Sequence, residues 1–338
     1  MRATSRQSQQ QTQGRRNGHV YGARKSRTRE RAGKGGAALG EQRCSLYAEV
    51  TARIIAELEA GRCPWVQPWD NVAAAPGLPR NAASGRTYSG INILLLWGAV
   101  IERGYPSQNW LTFGQALEVG GSVRKGEKGV TIVFADRFTP EAEKQRALVS
   151  GGEPKQVPFL KRFTLFNVAQ CDGLPDRMTE AQAPLPERQQ IPVAEGLIAA
   201  TGADFRIGGN RAFYCPSEDY VAVPPQPAFR AQIDYYRTAL HELGHWTGHS
   251  SRLARDFSGR FGSPAYAREE LTAELASAYL CASLSIQPTV RHADYIGSWL
   301  EVLRSDDRAI FRAAAKASKA ADFLLGFKSE AAAGERAA

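Results

Sequence analysis

Apolar residues recur at helical spacing in the first part of the chain. Between Leu46 and Gly61 they return every three or four positions, which predicts a helix. The run Ile91–Ile101 predicts a buried helix, and a shorter helix is expected around Thr112–Glu118. No internal repeat is apparent along the chain.

Two β-branched runs follow these helices. Val130–Phe134 and Phe163–Val168 predict strands, and a polar segment over 136–158 separates them. Helices and strands together predict an α+β domain over residues 44–171.

The second half has a different pattern. Residues 172–190 are rich in proline and charge and are expected to form a linker. A second domain over 191–327 then begins with a short helix, continues with a small sheet, and reads as mostly helical from Ala228 onward. The last residues, 328–338, are expected to form a disordered tail. Strands of the small sheet are predicted at Phe205–Ile207, Ala212–Cys215 and Tyr220–Val223.

Charge is concentrated at the N-terminus. The 338 residues contain 43 Lys+Arg and 34 Asp+Glu, a formal net charge of +9. Residues 1–40 contain ten basic residues and one acid, so they account for the whole excess. We expect 1–43 to be a disordered basic tail, which either attracts phosphate backbones or keeps the chain soluble. The charge excess is therefore no evidence that the folded part binds nucleic acid.

Two further features bound the class of protein. The longest apolar run, Ile93–Ile101, is about half of the ~20 residues that a membrane span needs, and no secretion signal is apparent. The five cysteines are scattered and form no CxxC pair. A cytoplasmic protein without a membrane partner, a disulfide framework or a cysteine-ligated zinc is therefore expected.

The string His241-Glu242-Leu243-Gly244-His245 predicts a metal site. On a helix, residues i and i+4 lie on one face, so His241 and His245 can both reach a tetrahedral Zn²⁺ at about 2.0–2.1 Å. Glu242 would lie beside the metal and accept a proton from its bound water, which would then attack a carbonyl. The alternative is a chance match on a surface helix.

A third ligand is expected on the next predicted helix, which Ser263-Pro264 opens. Glu270 and Glu274 are again at i and i+4, so one could bind zinc while the other accepts an N–H from a ligating histidine. Spacing alone leaves the order open. A solvated acidic face that includes Glu269 is the alternative. His249 is a further candidate for an outer partner of the zinc ligands or an oxyanion donor, and the alternative is a polar helix end. Tyr266, Arg252 and Arg260 are candidates for stabilising an oxyanion.

Aromatic and basic residues in the first half are candidates for binding single-stranded DNA, which needs stacking platforms and a positive groove. The segment 44–170 contains 14 basic and 11 acidic residues, a modest excess. Tryptophans in apolar runs are usually core, and VRKGEKG is also typical of a charged hairpin turn. The candidate DNA-binding residues are Trp65, Trp69, Arg80, Arg86, Arg124, Lys125 and Lys128.

The order of several motifs resembles one family over roughly residues 45–326. The first half contains PWVQPW (64–69), PRNAASGRTYSGIN (79–92), WLTFGQA (110–116), GGSVRKGEKG (120–129) and FNVAQC (166–171). The second half contains FYCPSEDYVAVP (213–224), HELGHWTGHSSRL (241–253) and GRFGSPAYAREELTAELASAYLC (259–281). In this order they resemble the antirestriction proteins of the ArdC family.

This resemblance implies an N-terminal single-stranded DNA-binding domain joined to a mostly helical, zincin-like metallopeptidase domain with a small sheet. It also implies carriage on a mobile element such as a conjugative plasmid, and protection of incoming DNA from restriction. In the gluzincin class the first carboxylate of Glu-x-x-x-Asp/Asn/Glu binds zinc. That pattern implies that Glu270 binds zinc and that Glu274 accepts an N–H from a ligating histidine. Glu274 is the alternative ligand.

Three functions follow from these expectations. The first is a zinc peptidase that binds single-stranded DNA and uses Glu242 to cut an unidentified protein substrate, such as a host protein met on DNA. The second is a non-catalytic protein that coats single-stranded DNA and holds a structural zinc. In the third, the first domain recognises protein and binds no DNA.

Overall fold

The computed structural model describes residues 45–66, 74–179, 187–287 and 295–337. The predicted N-terminal tail and Trp69 lie outside these ranges. The helices are α1 (Leu46–Glu59), α2 (Ile91–Arg103), α3 (Phe113–Glu118), α4 (Glu141–Ser150), α5 (Asp176–Thr179), α6 (Glu187–Ala200), α7 (Gln232–Trp246), α8 (Pro264–Ser283), α9 (Ile296–Ser305) and α10 (Ala309–Ala337). The strands are β1 (Arg80–Asn81), β2 (Asn109–Leu111), β3 (Ser122–Val123), β4 (Val130–Phe138), β5 (Val157–Asn167), β6 (Cys171–Asp172), β7 (Asp204–Ile207), β8 (Phe213–Cys215) and β9 (Tyr220–Val223).

The N-terminal half is built on a four-stranded sheet in the order β1-β2-β5-β4. Strands β1 and β2 are parallel, and the other neighbours are antiparallel. Helix α2 packs against β4, where Asn92 Nδ2 donates to the carbonyl of Val133 at 2.7 Å and Asn92 Oδ1 accepts from its N–H at 2.9 Å. Strands β3 and β6 form a separate two-stranded sheet.

The hairpin of β4 and β5 is longer than the sequence predicts. Its pairing runs from Val130 opposite Leu165 to Phe138 opposite Val157, and α4 lies between the strands where a polar segment was expected. Exposed charged residues such as Lys161 interrupt the apolar alternation, so the pattern hides the outer half of each strand. Helix α4 has no buried residue and therefore no apolar stripe to reveal it.

The predicted linker over 172–190 is partly structured. Asp172 pairs with Ser122 in the two-stranded sheet, and the carbonyl of Met178 in α5 accepts a hydrogen bond from Asn109 Nδ2 at 2.9 Å. Residues 180–186 lie outside the described ranges, and α6 begins at Glu187. The boundaries 44–171 and 191–327 stay predictions, and residues 172–179 pack with the N-terminal half.

The C-terminal half combines helices with a three-stranded sheet in the order β7-β9-β8, so the expected α+β class with a small sheet is confirmed. Helices α7, α8 and α10 pack together. Two details differ from expectation. Residues 247–263 are not helical, and α10 continues to Ala337 where a disordered tail was expected, since its alanines favour helix. None of the helices in the described ranges has the length and apolar composition of a membrane span.

One hydrophobic core runs through both halves. Trp65 meets Trp299 of α9 edge to face with ring centroids 5.6 Å apart, and Trp97 of α2 meets Tyr279 of α8 at 5.8 Å. The Tyr279 hydroxyl also donates to the carbonyl of Gly90 at 3.1 Å. Residues Cys44–Ala338 accordingly form one compact unit.

Because the core is shared, we expect residues 44–338 to unfold in one calorimetric transition. Trp299→Ala should lower the free energy of unfolding by about 3–5 kcal/mol, the usual cost of removing a large buried side chain. Leu148→Ala on α4 is the control, because its side chain is exposed and should change stability little. Two separate transitions, with Trp299→Ala moving one of them, would show that the halves fold independently.

Candidate functional site

His241 and His245 lie one turn apart on α7, and both are buried. Their ring centroids are 4.9 Å apart. Gly244, between them, faces Ala273 of α8, and a Cβ at Gly244 would lie only 3.3 Å from the Ala273 carbonyl oxygen. The small pair lets α7 and α8 approach closely, so carboxylates on α8 reach the imidazoles.

Glu270 of α8 faces both imidazoles. Its Oε2 is 3.7 Å from His241 Nε2, and its Oε1 is 3.6 Å from His245 Nε2. The candidate ligand atoms of these three buried residues all lie within 4.8 Å of one another. Ligands about 2.1 Å from a tetrahedral zinc lie about 3.4 Å apart, so the separations fit a single divalent cation.

The other nitrogen of each histidine faces a different glutamate. Nδ1 of His245 is 3.1 Å from Glu269 Oε1, and Nδ1 of His241 is 3.4 Å from Glu274 Oε2. A carboxylate at Nδ1 favours the tautomer with its proton there, which leaves the Nε2 lone pair for a metal. Glu274 thus lies where the sequence placed an outer partner. Glu269, which the sequence grouped with a solvated acidic face, is the partner of the second histidine.

Arg255 holds Glu269 in place. Its side chain is 3% exposed, and its Nη2 is 2.8 Å from Glu269 Oε1. The same guanidinium donates to the Thr247 hydroxyl at 2.7 Å and to the carbonyl of Gly244 at 2.5 Å. Arg255 comes from the non-helical segment after α7, and no sequence motif marks it, so its role could not be predicted.

The electrostatics of this cluster favour a bound cation. Glu242, Glu269, Glu270 and Glu274 are all buried, and four carboxylates against one guanidinium leave a net charge of −3 when the histidines are neutral. Burial alone would lower the pKa of the histidines, but the carboxylates outweigh it and raise the pKa of His241 to about 10 and that of His245 to about 9. Without a metal, the site therefore binds protons at its ligand atoms.

A cavity of about 420 Å³ opens onto the three candidate ligands. Glu242 lies on its wall, one residue after His241, as the sequence predicts. Tyr266 also lines it, with its hydroxyl 3.0 Å from that of Tyr295. Burial, the Tyr295 hydroxyl and Glu270 all raise the pKa of Tyr266, so its hydroxyl keeps its proton and can donate a hydrogen bond.

His249 does not extend this cluster, so its predicted role as an outer partner is wrong. Helix α7 ends at Trp246, which takes His249 off the helical stripe of His241 and His245. Its Nδ1 is 2.8 Å from the Ser251 hydroxyl and 3.9 Å from Asp219 Oδ2.

The candidate DNA-binding residues are more dispersed than the sequence suggests. Trp65 is 0% exposed and packs on Trp299, so its predicted place on a DNA surface is wrong for the folded chain. Arg80 is half-buried in β1, and Arg86 is exposed on the turn that follows it. Trp69 lies outside the described residues.

A second basic group lies at the other edge of the sheet. Arg124, Lys125 and Lys128 are exposed on the turn before β4, whereas β1 is the opposite edge strand. Arg124 pairs with Glu127 at 3.0 Å and with Asp172 at 3.4 Å, while Lys125 and Lys128 show no such ion pair among the described residues.

Exposed phenylalanines are also present in the N-terminal half. Phe134 and Phe163 are 52% and 43% exposed, with ring centroids 6.3 Å apart on β4 and β5. Phe113, at the start of α3, is 53% exposed. Phe134 and Phe163 could not be predicted as surface residues from the sequence. Apolar residues in a strand pattern indicate burial, and the pattern does not show which aromatic side chain faces water.

Comparison with known proteins identifies two families along the chain. Residues 45–166 match the family described as the N-terminal domain of anti-restriction factor ArdC. Residues 192–316 match the family described as zincin-like metallopeptidase.

Individual relatives extend the match. An uncharacterized protein of Sinorhizobium fredii, y4eC, is 44% identical and covers 85% of this chain and 93% of its own. DNA primase TraC of Escherichia coli is 40% identical over 86% of this chain, which spans only 28% of TraC. Crystal structures of the antirestriction ArdC protein from plasmid R388 are 43% identical. The metal-free form covers 85% of this chain and 98% of its own with a TM-score of 0.71, and the Mn(II)-bound form covers 83% and 97% with a TM-score of 0.68.

The metal content of three variants should show which glutamate binds zinc directly and which two only hold a ligating histidine. At a buffered free zinc concentration that saturates the wild type, Glu270→Ala should retain almost no metal in elemental analysis, because a direct ligand is gone. Glu269→Ala and Glu274→Ala should bind about 10–100-fold more weakly, the usual effect of removing a partner of a ligating histidine. If Glu274→Ala loses its metal completely while Glu270→Ala keeps one ion per chain, the two assignments are reversed.

Proposed function

The chain belongs to the ArdC family of antirestriction proteins, and we propose that it binds single-stranded DNA with its N-terminal half and hydrolyses a peptide bond with its zincin-like half. The observation that carries the second proposal is the position of Glu242 on the wall of an open cavity that also contains His241, His245 and Glu270. A site that held metal only for stability would need neither the cavity nor Glu242.

We propose zinc as the metal and His241, His245 and Glu270 as its ligands. Two imidazoles and one carboxylate are the ligands of many catalytic zinc sites, and they leave a fourth position open. The related ArdC protein from plasmid R388 has a Mn(II)-bound crystal structure, which supports a divalent ion in this chain as well. When bound, zinc would supply Lewis-acid activation of water and of the substrate carbonyl.

Residues around the metal would transfer the proton, stabilise the oxyanion and orient the imidazoles. Glu242 would accept the proton of the attacking water and pass it to the leaving amine. Tyr266, whose hydroxyl keeps its proton, would donate a hydrogen bond to the oxyanion that forms at the carbonyl. Glu269 and Glu274 would hold the imidazoles in the orientation that presents Nε2.

For DNA, we propose a surface around the turn before β4. Exposed lysines there can contact phosphates, and the exposed phenylalanines of β4 and β5 can stack on bases. DNA primase TraC, a relative over a quarter of its length, supports a role in DNA processing. We place this activity in the cytoplasm, where a mobile element would arrive and a host protein bound to its DNA would be the substrate.

Glu242→Gln tests the peptidase proposal. We expect it to retain metal but abolish cleavage, because the amide cannot accept the water's proton, so a loss of at least 100-fold is expected. Zinc-loaded wild type and Glu242→Gln are each added to a bacterial lysate, with and without single-stranded DNA. Mass spectrometry then compares the new protein N-termini that each produces.

Glu118→Gln, an exposed carboxylate on α3, is the matched control and should cleave normally. Equal cleavage by wild type and Glu242→Gln would contradict the mechanism. Absence of cleavage by the zinc-loaded wild type, together with tight binding to single-stranded DNA, would favour a protein that coats the strand.

The DNA surface is tested by salt dependence. Lys125→Ala/Lys128→Ala should weaken binding to a 12-nucleotide oligonucleotide and reduce the slope of log K against log salt by about 1.4, since two phosphate contacts are lost. Lys316→Ala/Lys319→Ala on α10 removes the same charge from the other half and should leave the slope unchanged. A wild-type affinity that does not change with salt would favour a protein-recognition role for the first domain.

A further inference from the structure

A cavity of about 300 Å³ lies in the N-terminal half, apart from the metal cluster. The segment before β1, the segment before β2 and helix α5 enclose it. Pro76, Leu78, Pro106 and Met178 contribute apolar walls. The size falls at the lower end of pockets that hold small organic ligands.

Gln108 lines this cavity, and its side-chain carboxamide lacks hydrogen-bond partners among the described residues. Among the described residues, neither its Oε1 nor its Nε2 has a hydrogen-bond partner, although both atoms are shielded from solvent. An unsatisfied buried amide is unfavourable and rare in folded proteins, so it needs an explanation. The main chain of Gln108 is fixed, because its carbonyl accepts from Arg80 N–H at 2.9 Å where β1 joins β2.

The charge of the cavity favours an anionic ligand. Arg80 and Arg177 both line it, and the described lining includes no aspartate or glutamate. Helix α5, which carries Arg177, is held to β2 by the bond from Asn109 Nδ2 to the Met178 carbonyl at 2.9 Å. The cavity thus combines apolar surface and the unpaired amide of Gln108 with the exposed cation of Arg177.

We propose that this cavity binds one nucleotide of the single strand, an inference that rests on the DNA binding proposed above. The base would lie against the apolar walls, and the Gln108 carboxamide would pair with a base edge that presents a donor beside an acceptor. Arg177 would contact a flanking phosphate. The site would add recognition of a base edge to a surface that otherwise contacts phosphates and stacks on bases.

The test uses the full chain with two 12-nucleotide oligonucleotides, one with normal bases and one with abasic residues at every position. Gln108→Leu should weaken binding to the normal oligonucleotide about 10-fold or more, the effect of losing one two-point base contact. It should leave binding to the abasic oligonucleotide unchanged. Gln145→Leu, an exposed glutamine on α4, should alter neither affinity.

The melting temperature shows whether the Gln108→Leu variant still folds. Gln108→Leu removes an unsatisfied amide, so its melting temperature should equal or exceed that of the wild type. Arg177→Ala should weaken binding to both oligonucleotides and reduce the salt slope, as expected for a phosphate contact.

Two outcomes would overturn the proposal. If the wild type binds the normal oligonucleotide and Gln108→Leu binds it equally well, the cavity is not a base site, although DNA binding stands. If the wild type binds neither oligonucleotide at low salt, the DNA function fails, and the nucleotide site fails with it.

Discussion

Burial of four carboxylates between α7 and α8 is the constraint on which the rest of the second half depends. Carboxylates are seldom buried without a compensating charge, because desolvation of a charge is unfavourable by several kcal/mol. Arg255 compensates one of them, and the remaining charge requires protons on the two histidines or a divalent cation. A cation at the centre would balance the charge and bind the Nε2 atoms of both histidines, so the geometry and the electrostatics favour the same ligand.

Helix α8 connects this cluster to the other half of the molecule. Glu269, Glu270 and Glu274 occupy its first part, while Tyr279, near its end, touches Trp97 and donates to the carbonyl of Gly90. Gly90 precedes α2, which packs on the four-stranded sheet. The proposed DNA-binding half and the metal cluster therefore share a rigid element, and strand binding and peptide hydrolysis would take place on a single folded unit.

Sequence could predict the parts of the site that depend on local spacing. His241, Glu242 and His245 follow from the period of a helix, and the Glu270–Glu274 pair follows from the same period on the next helix. Glu269 and Arg255 could not be predicted, since their roles depend on a non-helical segment in which Ala254 takes a φ of 48° that is uncommon for a residue with a Cβ.

Aromatic residues show the same limit. Trp65 looked like a stacking platform next to a proline, yet its partner Trp299 is more than two hundred residues away in sequence. Phe134 and Phe163 lie in the two predicted strands, yet both are about half-exposed. Whether an aromatic residue is core or surface depends on tertiary packing, which periodicity within one segment does not contain.

Thermal unfolding at a series of buffered free zinc concentrations tests whether the buried cluster is built around one divalent cation. An ion that binds the folded chain alone stabilises it by RT ln(1 + [Zn²⁺]/Kd), or about 1.4 kcal/mol for each tenfold increase above Kd. We expect the melting temperature of the wild type to rise steadily with free zinc, and that of the His241→Ala/His245→Ala variant to stay constant. A wild-type melting temperature that does not depend on zinc would show that the cluster is not built around a divalent cation.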